Sequence, residues 1–91
     1  MNFNVRDTTR VRVKSPNGVW GWFYQFIYDT DDMKCCVADL TVVSEQLPSK
    51  DEVKKVVLNN YKIRVADRDL QELKRLAEQE IKDAFSFQFE V

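Results

Sequence analysis

From Val19 to Tyr28 the chain reads Val-Trp-Gly-Trp-Phe-Tyr-Gln-Phe-Ile-Tyr, and this run holds six of the eleven aromatic residues in a chain of 91. Aromatic and β-branched side chains fit a pleated, half-buried surface. The preceding Ser15-Pro16-Asn17-Gly18 is turn chemistry: proline presets one backbone angle and glycine accepts a positive one. Together they predict a β-hairpin with the aromatic run as its second, central strand.

Upstream, Phe3, Val5, Val11 and Val13 share one parity and Arg10, Arg12 and Lys14 the other, the alternation of a strand near residues 3–14. The turn decides which faces meet, because a one-residue slip turns every side chain over. An Asn17-Gly18 two-residue turn would set Val13 against Trp22. A Pro16-Asn17-Gly18 three-residue loop sets Val13 against Gly21 and Arg12 against Trp22, and the turn chemistry favours it. On that register Val19, Gly21, Phe23, Gln25 and Ile27 lie with the valines. Trp20, Trp22, Tyr24, Phe26 and Tyr28 lie with the basic residues.

The polar loop Asp29-Thr30-Asp31-Asp32 leads to a third strand near 34–44, whose even positions Cys36, Ala38, Leu40 and Val42 are all apolar. A four-residue loop would oppose Phe23 to Ala38 and Gly21 to Leu40. The core is therefore expected on the face of Val19, Phe23 and Ile27, with Asp39 opposite Trp22 and Cys35 on the outer face near Phe26.

After Pro48, Ser49 and Glu52 form a capping-box signature ahead of Val53, Val56 and Val57, predicting a helix near 50–60 that ends at Asn59-Asn60. Tyr61, Ile63 and Val65 alternate with charges as a short strand or extended link. Asp67 caps a second helix, near 67–84, whose apolar residues recur at helical spacing. The tail alternates Phe85, Phe87 and Phe89 with polar residues, predicting a last strand near 86–91. The expected fold is a single α+β domain over residues 1–91: an antiparallel sheet of four to five strands, hairpin-rich in its N-terminal half, packed with two helices from the C-terminal half.

Fourteen basic residues against fifteen acidic ones give a net charge of −1, which argues against a general polyanion binder. No apolar run approaches the roughly 18 residues that cross a bilayer, and the start of the chain lacks the pattern of a secretory signal. A cytoplasmic protein without membrane contact is expected. Cys35 and Cys36 are sequence neighbours that point to opposite faces of a strand, which rules out an ordinary structural disulfide between them.

Catalytic signals are sparse. The chain has no histidine, and its only glycines are Gly18 and Gly21. The usual neutral-pH base, the Ser-His and Cys-His pairs and the glycine-rich phosphate loop are thus absent from the sequence. Asp29, Asp31 and Asp32 lack the glycine and the distal acid of a helix-loop-helix calcium site. No enzyme activity, cofactor or metal is expected.

The basic and aromatic hairpin face admits three readings. Both sheet faces could be covered, making the aromatics core. The face could instead stay open as a protein-binding surface, since Trp, Tyr and Arg are the side chains enriched at hot spots. Or it could stack single-stranded nucleic acid, with arginines on phosphates. The function expected is a non-enzymatic protein-binding module, a small cytoplasmic accessory, regulator or inhibitor of bacterial or phage type that docks on a larger protein. Trp20, Trp22 and Tyr24 are the expected anchors, with Arg10, Arg12 and Lys14 orienting an acidic partner. A single-stranded nucleic-acid-binding domain using the same face is the alternative, and a homodimer is left open.

Overall fold

The computed structural model describes residues 1–90. Its elements are β1 (Asn4–Lys14), β2 (Trp20–Asp29), β3 (Cys36–Val42) and α1 (Lys50–Ala84). The chain divides into two compact units, Met1–Tyr61 and Lys62–Val91. The first unit holds an antiparallel sheet in the order β1-β2-β3. Among the described residues, the expected four to five strands and two helices are corrected to three strands and one long helix.

The first hairpin has the three-residue loop. Gly18 sits at φ 85° and donates its N–H to the Ser15 carbonyl at 2.9 Å, while the Ser15 N–H reaches the Val19 carbonyl at 2.8 Å. Val13 consequently opposes Gly21 and Arg12 opposes Trp22. The ladder shifts between Val5 and Asp7, so Val5 joins the face of Tyr28 whereas Val11 and Val13 remain on the reverse face.

The second hairpin overturns the expected register. Ala38 opposes Phe26 rather than Phe23, and Leu40 opposes Tyr24 rather than Gly21. The displacement is odd, so the core moves to the other face of β2. The cause is a longer connection, closed by its own polar groups. The Cys35 N–H donates to Asp29 Oδ1 at 2.8 Å, the Thr30 N–H donates to the Met33 carbonyl at 2.7 Å, and Cys35 turns the chain with φ 56°. A side-chain acceptor spanning the loop and a left-handed residue close the turn without glycine.

The core therefore comprises Tyr24, Phe26, Tyr28, Cys36, Ala38 and Val57, with Phe3, Val53, Val56 and Tyr61 packed against it. Val19, Phe23 and Ile27 lie on the reverse face instead, where Val19 is exposed and the other two are half-buried.

Ser49 caps α1 as its signature predicts, its Oγ accepting the Glu52 N–H at 3.1 Å, and Asp51 and Glu52 place negative charge at the helix's positive end. The helix does not stop at Asn59-Asn60. Tyr28 donates its hydroxyl hydrogen to Asn60 Oδ1 at 2.6 Å, and Tyr61 meets Phe3 edge-on with ring centroids 5.2 Å apart. Val53, Val57 and Tyr61 are spaced one turn apart, so the residues read as a break and a short strand at 61–65 belong to the helix. Every proline and glycine of the chain lies at or before Pro48, so nothing in this region breaks a helix.

Residues 85–90 form no strand, and Phe85, Phe87 and Phe89 are exposed. Period-two alternation marks a strand only where a partner ladder is present, and the sheet of the described residues is complete with β1, β2 and β3. Val91, the end of that expected strand, lies outside the described residues.

Two substitutions test this packing. A Cβ on Gly21 would stand 2.7 Å from the backbone oxygen of Val42; Gly21→Ala is expected to cost about 1–3 kcal/mol in urea denaturation, as overpacking does. Tyr28→Phe removes the hydrogen bond to Asn60 Oδ1 and is expected to lose about 1 kcal/mol in the same measurement.

Candidate functional site

The helix covers only part of the aromatic face. Tyr24, Phe26 and Tyr28 are buried in the cluster that its Val57 joins, while Trp22 is half-buried and Trp20 is 52% exposed. Of the six expected contact residues, Arg10, Arg12, Lys14, Trp20 and Trp22 reach the surface together at the turn end of the first hairpin. Tyr24 does not: it is only 2% exposed, and it serves the site from below, with Arg10 Nη1 donating to its hydroxyl oxygen at 3.3 Å.

Cross-strand pairing builds the site. Lys14 opposes Trp20, Arg12 opposes Trp22 and Arg10 opposes Tyr24, so cations and rings alternate on one face within reach of direct and diagonal neighbours. The Arg10 and Arg12 guanidinium carbons lie 4.2 and 4.6 Å from the centroid of the Trp22 ring. Lys14 Nζ lies 5.4 Å from that of Trp20. These are cation–π distances, and they hold flexible side chains in defined positions.

Glu45, which the sequence reading did not single out, completes the arrangement. Arg12 Nη1 donates to its Oε1 at 2.7 Å and the Trp22 indole Nε1 donates to its Oε2 at 3.1 Å. These bonds, the one from Arg12 first, hold the Glu45 carboxyl below its ordinary range, with further attraction from Arg12 and Arg10 outweighing burial. Only the pairing of Trp22 with Val42 brings the segment after β3 alongside Trp22, and no local pattern announces that. Asp39, expected opposite Trp22, instead faces Gln25 on the reverse side, which removes one acid from the site.

Cys35 is likewise displaced from the position expected near Phe26. It is exposed in the second connection, and its Sγ accepts a hydrogen bond from Arg6 Nη2 at 2.9 Å. Arg6 Nε also binds Asp29 Oδ2 at 3.1 Å. The Asp29 carboxyl is held low, chiefly by the Cys35 N–H and then by attraction to Arg6 and Lys34. The neighbouring aspartates serve the loop as well: Asp31 Oδ2 accepts the Asn2 N–H at 3.1 Å, and Asp32 accepts from the hydroxyls of Thr30 and Tyr61. Cys36 is buried on the core face.

The first unit also has a groove of about 520 Å3, lined mainly by apolar side chains including Phe3, Val5, Phe26, Val53 and Val57. Thr8, Lys50 and Lys54 supply its polar side chains, which hold no carboxylate or thiol. Among the described residues, no helix is long and apolar enough to cross a membrane.

No family model, curated protein or solved structure matches this chain.

The Glu45 contacts carry a pH signature. Since its carboxyl is held lower in the folded chain, the associated stabilisation is present above the ordinary glutamate pKa and is lost as pH falls through the depressed value. In a Trp20→Phe variant, which leaves Trp22 as the sole indole, fluorescence is expected to change below the normal carboxylate range. Adding Glu45→Gln should abolish that transition.

Proposed function

We propose that this chain is a non-enzymatic protein-binding module, an accessory or regulatory protein that docks on an acidic surface of a larger partner through the turn end of its first hairpin. The observation that carries the reading is a half-exposed pair of indoles held among Arg10, Arg12 and Lys14 on a paired sheet. Rigid aromatic anchors beside oriented cations lose little side-chain freedom on binding, which is what distinguishes hot spots from ordinary surface. Trp20 is the anchor, Lys14 and Arg10 face the partner's carboxylates, and Trp22 with Arg12 and Glu45 forms the platform behind them. Two free cysteines suit a reducing compartment, and a cytoplasmic location belongs to the same proposal.

Single-stranded nucleic acid is the weaker reading for a physical reason. A base would have to displace guanidinium groups from the Trp22 ring, and the Glu45 carboxylate beside that ring repels phosphate.

The test compares capture from a lysate of the source organism by the wild-type chain, Trp20→Ala and Val11→Ala. Val11 is exposed on the reverse face. A protein retained by the wild type and by Val11→Ala, but lost with Trp20→Ala at unchanged thermal stability, is the expected result. Equal capture by all three sinks the assignment, and tryptophan quenching by an oligothymidylate at low salt would transfer it to nucleic acid.

A further inference from the structure

The second unit carries a different surface. In Lys62–Ala84 of α1, Ile63, Leu70, Leu73, Leu76 and Ile81 are all between 50% and 65% exposed. Helices in water draw most of their stability from burying an apolar stripe, so this segment presents the stripe without a cover of its own. Ile63, Leu70, Ala77 and Ala84 recur at seven-residue spacing, with Ala66 and Leu73 three residues after the first two. These are the a and d positions of a two-stranded coiled coil.

We propose that Lys62–Ala84 pairs with the same segment of a second copy as a parallel, in-register coiled coil. The flanking residues identify the occupant. In a parallel pair each g position meets the e position five residues further along the other helix. Here that sets Lys62 against Asp67, Asp69 against Lys74, and Leu76 against Ile81 of the second copy. Two contacts are opposite charges and the third is apolar on apolar, and symmetry makes each of them twice. A helix of unrelated sequence would not match this order.

The antiparallel arrangement fits worse. Aligning Leu70 with Leu73 of a reversed copy would pair Lys62 with Asp83 and Asp67 with Lys74, but it would also set Asp69 against Leu76 and Glu80 against Ile63, each twice, desolvating four carboxylates on apolar side chains. Glu80 occupies a d position in either arrangement. In the parallel pair it faces the Glu80 of the second copy, a like-charge contact confined to the last heptad, where both carboxylates can turn toward water.

The test is sedimentation equilibrium of the full chain at low ionic strength over about 1 to 100 µM. A dimer is expected. Lys74→Glu should raise its dissociation constant by on the order of tenfold, because symmetric attractions become repulsions. Adding Asp69→Lys should restore it, whereas adding Asp67→Lys should not. Lys74 is exposed and lies outside the sheet-bearing unit, so the near-ultraviolet circular dichroism of the tryptophans should be unchanged in every variant. A monomer throughout the range overturns the proposal, as does a Lys74→Glu variant that associates as well as the wild type. Rescue by Asp67→Lys in place of Asp69→Lys would show an antiparallel pair and overturn it equally.

Discussion

The pairing of Phe26 with Ala38 governs the first unit. It aligns the large side chains of β2, Tyr24, Phe26 and Tyr28, with the even positions of β3, where Cys36 and Ala38 are small. Large against small leaves room for Val57 to enter the same cluster, and close packing of this kind gives a core one arrangement rather than several. The face of β2 that holds Val19, Phe23 and Ile27 becomes the reverse side as a direct result.

The same register divides the aromatic strand along its length. Toward the second connection its rings are core, tied to the helix through the Tyr28–Asn60 hydrogen bond. Toward the first turn they lie among cations. Tyr24 stands at the border, buried as a ring yet bonded through its hydroxyl to Arg10. The hairpin end is thus braced by the core it emerges from, and a binding surface with fixed anchors benefits from such bracing.

The long helix runs uninterrupted through both units. Its first turns complete the core of the sheet-bearing unit through Val53, Val56 and Val57. Its later turns carry a separate apolar stripe flanked by matched charges. A dimer formed through that stripe would carry two hairpin ends, and two weak contacts to a repetitive partner would reinforce each other through effective concentration.

Much of this was legible in the chain itself. Proline, asparagine and glycine in order at 16–18 select one loop, and that loop settles the β1–β2 register from Asp7 to Lys14; the cap at Ser49 and the even apolar face of β3 are equally local. The β2–β3 register was not legible, because no glycine marks a connection closed by the side chain of Asp29 and the left-handed Cys35. Nor was the continuity of α1, since Asn60 resembles a helix end until its amide is seen to meet the Tyr28 hydroxyl. Glu45 was missed for the same reason, its partners Arg12 and Trp22 lying far away along the chain. The sequence by itself determined the three strands of the N-terminal half, the first turn and the start of the helix, because those depend on neighbours a few residues apart. Only the tertiary structure decided which face of the aromatic strand became core, because that rests on bonds between residues that meet only after the chain has folded.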